Sequence, residues 1–182
     1  MLPEEVKLRI IGYETVGHKS YTRHLQERAN KIGITDRVEF VGAVPLRSDL
    51  LRWCQQSDVG LALMPKESRD LNQQAMVGAS NKPFDYLTCG LALLVSDLPD
   101  WHDMYVNGGY GLASDPDDSH SIAASLGWFL NHPVEMREMG ERGRQKIVAE
   151  WNYEAQFASV MKVYMTRNNR LKYLTGSNSK PV

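Results

Sequence analysis

Two hydrophobic rhythms alternate along this chain. The segments 6–11, 37–42, 58–64, 92–95 and 110–113 are short, apolar or β-branched, and most are bounded by glycine or proline, which predicts strands. Between them Leu25, Ala29 and Ile32 recur at helical spacing over 21–32, and Leu50, Leu51 and Trp53 do so over 46–56. Further helices are predicted over 81–89, 98–104, 119–130, 133–151 and 153–165. The run from Asp58 to Met64 is almost continuously apolar, as expected of a parallel strand covered on both faces. Strands alternating with helices at this spacing predict an α/β fold, a doubly wound, Rossmann-like and mainly parallel sheet flanked by helices. Residues 1–166 form the expected domain. Residues 167–182 are polar, basic and unpatterned, and are expected to be disordered.

Sheets of this kind bind ligands beyond the carboxyl ends of their strands. The loops Gly12–Lys19, Gly42–Pro45, Pro65–Ala79 and Ser96–Asp100 gather on that edge, together with the start of the helix opened by Ser80-Asn81-Lys82-Pro83. Ser80 or Asn81 suits a cap, Pro83 suits a first turn, and Gly90 suits the left-handed residue that ends a helix. Free N–H groups, a positive dipole end and the charge of Lys82 make this start suited to phosphate. Asp85 follows Lys82 by one turn, where a carboxylate could bind sugar hydroxyls. The plain alternative is a capped surface helix with a Lys82–Asp85 ion pair. The Gly12–Lys19 loop either approaches a phosphate or is a plain turn. Its glycine spacing is not a dinucleotide fingerprint.

Composition narrows the class. With 182 residues, 42% hydrophobic and 24% charged, the chain has material for one core. A net charge of −1 gives no global attraction to nucleic acid, and no nucleic-acid partner is expected. Cys54 and Cys89 are too few for a disulfide framework or a metal site, and suit a reducing compartment. His18, His24, His102, His120 and His132 lack metal-ligand spacing, so no metal is expected. Trp53, Trp101, Trp128 and Trp151 read as packing residues. Arg137, Arg142, Arg144 and Lys146, interleaved with Glu135, Glu138 and Glu141, read as a solvated helix face. No apolar run reaches the roughly 18 residues of a membrane-spanning helix, and the first residues lack the pattern of a signal peptide. A cytoplasmic location is expected. Weak contact of the basic tail with the inner membrane surface is the lesser expectation.

The order of motifs resembles the C-terminal, nucleotide-sugar-binding domain of GT-B glycosyltransferases, of the retaining, family 4-like kind. The resemblance rests on Asp36-Arg37-Val38-Glu39-Phe40-Val41-Gly42, on Ser57-Asp58-Val59-Gly60-Leu61-Ala62-Leu63, on Lys82-Pro83-Phe84-Asp85-Tyr86-Leu87-Thr88-Cys89-Gly90, on Gly109-Tyr110-Gly111, and on Trp151 before a helix bearing Val163-Tyr164. It spans roughly residues 6 to 165. It implies that Asp85 stands for a glutamate that holds the nucleotide ribose, one methylene shorter. It implies further that Ser80, Asn81 and Lys82 meet the pyrophosphate and donor sugar, and that the backbone of Gly42, Ala43 and Val44 meets the base. A second family acid, eight positions earlier, is Val77 here; Glu67 and Asp70 are the nearby carboxylates.

The resemblance also implies a further strand and helix ahead of residue 6, with an acceptor-binding domain before them. That strand would lie between those at 6–11 and 58–63. Either those strands pair directly, or another chain, including a second copy, completes the sheet. The function implied is transfer of a hexose from a UDP-, GDP- or ADP-sugar to a glycan or lipid-linked acceptor, as in polysaccharide biosynthesis, with no cofactor. The acceptor would be met through the N-terminal domain. This chain alone is expected not to catalyse, and no catalytic residue is assigned. The alternatives are a non-catalytic nucleotide-sugar-binding or interaction domain, and a sugar-nucleotide epimerase of the same architecture.

Overall fold

The computed structural model describes residues 2–14, 20–67 and 76–175, with 167–175 described by backbone alone. Strands β1 (Leu8–Ile11) and β2 (Val38–Gly42) flank helix α1 (Tyr21–Lys31), and α2 (Arg47–Cys54) leads to β3 (Val59–Ala62). Helix α3 (Asn81–Thr88) precedes β4 (Ala92–Ser96). A short α4 (Pro99–Trp101) runs into a π-helical turn (His102–Val106) before β5 (Gly111–Ser114), and α5 (Ser119–Asn131), α6 (Pro133–Ala149) and α7 (Tyr153–Thr175) follow.

Every strand pair is parallel. β1 pairs with β2, and β3, β4 and β5 form a second ladder in that order. Among the described residues no ladder joins β1 to β3, so direct pairing of these strands is not the arrangement adopted. Arg9 reaches across instead. From β1 it donates to Glu39 on β2 at 2.7 Å and to the Trp53 carbonyl at 3.3 Å, and its guanidinium lies 4.5 Å from the centre of the Trp53 ring.

The continuous apolar run 91–95 becomes the central strand, buried on both faces. Leu93 and Val95 pack toward Leu87 of α3, Trp101, Tyr105 and Ile147 of α6. Ala92 and Leu94 pack the opposite way, toward Phe129 of α5. Helices on both faces of a parallel sheet make the α/β, doubly wound class expected from the sequence. Trp151 holds one layer together, with edge-to-face contacts to Phe84, Tyr105 and Tyr110.

One helix boundary differs from expectation. Helix α7 continues to Thr175, past the end expected at residue 165, because no proline or glycine interrupts 153–175. Residues 176–182 of the expected disordered tail lie outside the described residues. So do Thr15–Lys19 of the first loop, including His18, and residues 68–75 of the middle loop, including Asp70.

Candidate functional site

Helix α3 organises the candidate site. Its C-terminal end is a Schellman motif: the Leu91 N–H donates to the Tyr86 carbonyl at 3.1 Å and the Gly90 N–H to the Leu87 carbonyl at 3.0 Å, with Gly90 at φ +76°. This sharp stop turns the chain directly into β4. Along its length α3 packs on β3, where Gly60 lies so close to the Tyr86 ring that a Cβ would stand 2.3 Å from it. The helix start is thereby held beside the carboxyl ends of β3 and β4. Ser80 occupies the N-cap position, but its hydroxyl makes no cap bond, contrary to the cap expected from its sequence position. The first-turn N–H groups therefore carry no side-chain cap from Ser80. Lys82 and Asn81 are exposed in that turn, and Ser80 is half-buried.

Asp85, one turn further, is buried. Its ion-pair partner is Arg47, the first residue of α2, and not Lys82. The pair is asymmetric: the Arg47 side chain is 63% exposed and that of Asp85 only 8%. Burial raises the Asp85 carboxyl above its ordinary value, and the Arg47 charge offsets part of that rise. A second tie between α2 and α3 is the Cys89 thiol, which donates to the Leu51 carbonyl at 3.6 Å.

Gly42 and Val44 lie on the loop that ends in Arg47. Gly42 closes β2 with φ +80°, a conformation that favours glycine, and its carbonyl accepts from the Gly12 N–H at 2.9 Å. Val44 is half-buried. The structure thus joins the 42–46 loop to α3 through Arg47 and Asp85. Among the described residues, no group of three or more His, Cys, Asp or Glu side chains is placed to hold a metal ion.

The other loops of this edge are tied down by polar contacts. The Ser96 hydroxyl, buried at the end of β4, accepts from the Met64 N–H and donates to the Met64 carbonyl, each at 2.6 Å. Lys66, after β3, pairs with Asp115, after β5, which holds the Asp115 carboxyl below its ordinary value. Val77, where the family acid was sought, packs against the core. Glu67 is exposed. In the first loop Glu14 accepts from the Ser20 and Thr22 N–H groups at 2.7 and 2.8 Å. The anion position at the start of α1 is therefore filled by the protein's own carboxylate. Neither Arg47 nor Glu14 was among the sequence candidates. The Arg47 partner is 38 residues away, beyond any local spacing rule, and Glu14 caps from outside the usual cap position.

The profile of the glycosyl transferase-like family matches residues 2–162, and the chain belongs to that family. No curated protein matches it by sequence. Among solved structures it is similar to Anabaena Alr3699/HepE in complex with UDP, with TM-score 0.69 and 14% identity over 90% of this chain and 42% of that one. Sucrose-phosphate synthase from Thermosynechococcus elongatus superposes with TM-score 0.66 and 19% identity, over 90% of this chain and 39% of its own. The C-terminal domain of a group 1 family glycosyl transferase (LpcC) from Francisella tularensis superposes with TM-score 0.64 and 15% identity, over 81% of this chain and 70% of its own. The fold is that of the Rossmann-like C-terminal domain of GT-B glycosyltransferases. The chain spans about two fifths of the length of the first two of these relatives, 42% and 39%.

Proposed function

We propose that the chain is the donor-binding half of a glycosyltransferase, taking a nucleoside diphosphate sugar at the edge formed by Gly42–Val44, Ser80–Lys82 and Asp85. Joined to an acceptor domain, it moves a hexose to a glycan or lipid-linked acceptor. One observation carries this reading: α3 sets Lys82 and first-turn N–H groups that carry no cap from Ser80 one turn from a carboxylate, beside the carboxyl ends of β3 and β4. The helix dipole and Lys82 stabilise the negative charge that develops on the departing diphosphate. The likeness to Alr3699/HepE, solved with UDP and with UDP-glucose, supports a uridine nucleotide as the first donor to test.

The test is thermal unfolding of the chain with UDP, GDP and ADP and their glucose conjugates. Ligand at a hundredfold excess over Kd adds about 2.7 kcal/mol of stability. One base series is expected to raise the midpoint, and Lys82→Ala to cut that rise. If no nucleotide moves the midpoint and Lys82→Ala changes nothing, the reading is wrong. The packing of Val77 in the core, where the family places a second acid, supports a second reading as a binding domain without chemistry. Nucleotide binding without hydrolysis or transfer of the sugar, in the presence of an acceptor domain, selects that reading.

A further inference from the structure

We propose that Arg47 is the residue that meets the nucleotide's phosphate at this edge, and that Asp85 serves chiefly to aim it. This rests on the donor-binding reading above and changes which side chain faces the ligand. The Asp85 carboxylate lies under the guanidinium, its side chain 8% exposed against 63% for Arg47. A ligand arriving from solvent therefore touches the cation first. A guanidinium carries five N–H donors in a rigid fork and no acceptor. One of its nitrogens is turned to Asp85 Oδ1, and Asp85 is the partner the described residues supply. The exposed remainder of the fork matches oxygen acceptors, and the paired oxygens of a phosphate suit it best.

Position supports the same chemistry. Arg47 opens α2, and its partner sits one turn along α3 from Lys82. Lys82 and the first-turn N–H groups of α3, which carry no cap from Ser80, lie one turn from the carboxylate that holds Arg47, and donors of both kinds suit a diphosphate more than a lone nucleoside. The Asp85 contact fixes an otherwise mobile side chain, which lowers the ordering cost when phosphate binds. Cys54, Cys89 and Tyr86, titratable groups beside the pair, all have raised pKa values and stay neutral near pH 7, so they do not compete for the guanidinium.

Calorimetric titration of the full chain with a nucleoside, its monophosphate and its diphosphate tests the assignment. Arg47→Gln is expected to weaken diphosphate binding about tenfold or more while leaving the nucleoside within about twofold. The Arg47→Gln/Asp85→Asn double variant keeps the buried position neutral and is expected to show the same loss, which separates binding from folding. Arg52→Gln, on the exposed face of α2 and paired with Asp49, is expected to bind as wild type. Equal losses for nucleoside and diphosphate, or an unchanged diphosphate Kd in Arg47→Gln, overturn the role of Arg47 while the donor site stands. Absence of any nucleotide binding by the wild-type chain overturns both.

Discussion

Gly140 of α6 rests on the carbonyl of Gly90, so closely that a Cβ at Gly140 would stand 1.9 Å from that oxygen. The neighbouring Gly143 meets Leu87 in the same way, its Cβ position 2.3 Å from a Leu87 methyl. Two glycines one turn apart on α6 thus let it lie against the end of α3. The helix bearing Lys82 and Asp85 is held in place by the smallness of residues packed on its opposite, C-terminal end.

Gly140→Ala must displace backbone, not a flexible side-chain end, and is expected to cost about 2–3 kcal/mol in urea unfolding. Gly127→Ala, in the middle of α5 with nothing within 4 Å of the new Cβ, is the matched control. It is expected to gain roughly 0.5–1 kcal/mol from helix propensity. Equal effects of the two changes would show that the α6–α3 contact does not set the packing.

Removal of Arg47 has a predicted pH signature. The folded-state pKa of Asp85 lies above its ordinary 3.8, so the folded chain binds more protons than the unfolded chain just above that value. The associated stability is complete below pH 3.8 and declines as pH rises through the raised value. Arg47 is the one cause that lowers this pKa, so Arg47→Gln should raise it further and extend the decline toward neutrality. Urea unfolding at pH 4 and pH 7 checks this: the variant should lose more stability at pH 7. A loss independent of pH would mean the Asp85 charge is not responsible.

Glu14 works in the opposite direction. The bonds from the Thr22 and Ser20 N–H groups hold its carboxyl below the ordinary 4.5, so its contribution is present above that value and fades as pH falls through the lowered one. The Ser20 and Thr22 amide resonances are expected to shift in an NMR titration with a midpoint below 4.5, and to lose that shift in Glu14→Gln. A midpoint at or above the ordinary value would remove Glu14 from the start of α1.

The Cys89 thiol is pushed up to about 11 by burial, and burial raises the buried Cys54 as well. With thiolate as the reactive form, alkylation of native Cys89 near pH 8 should run at roughly a hundredth of the rate of a free cysteine. Urea should restore the ordinary rate. Fast labelling of the folded chain would show that α2 and α3 part readily at the Leu51–Cys89 contact.

Some of this was legible from local pattern. Gly90 after an amphipathic run announced the end of α3, and Leu91 to Val95 announced a buried strand, because backbone conformation and burial leave short-range marks in residue choice. The glycosyl transferase-like family was legible from motif order. The partner of Asp85 was not. Local spacing offered Lys82, one turn away, while the fold supplied Arg47 from another helix. The cap of α1 was hidden for a related reason: Glu14 reaches Ser20 and Thr22 only once the chain between has turned back. The split of the sheet is a matter of which strands meet, and strand composition alone does not specify neighbours.

That split gives the molecule two mechanical regimes. β3, β4 and β5 share one ladder and both apolar layers, whereas β1 and β2 form a separate ladder, from which Arg9 reaches the Trp53 carbonyl of α2. Cooperative opening spreads along ladders and packed layers. The β1–β2 amides are therefore expected to exchange through local fluctuation and those of β4 only through global unfolding, which native-state hydrogen exchange reads directly. The 42–46 loop issues from the compliant segment, and α3 belongs to the stiff one. Arg47 follows the first of these and Asp85 lies in the second, so their ion pair spans the seam.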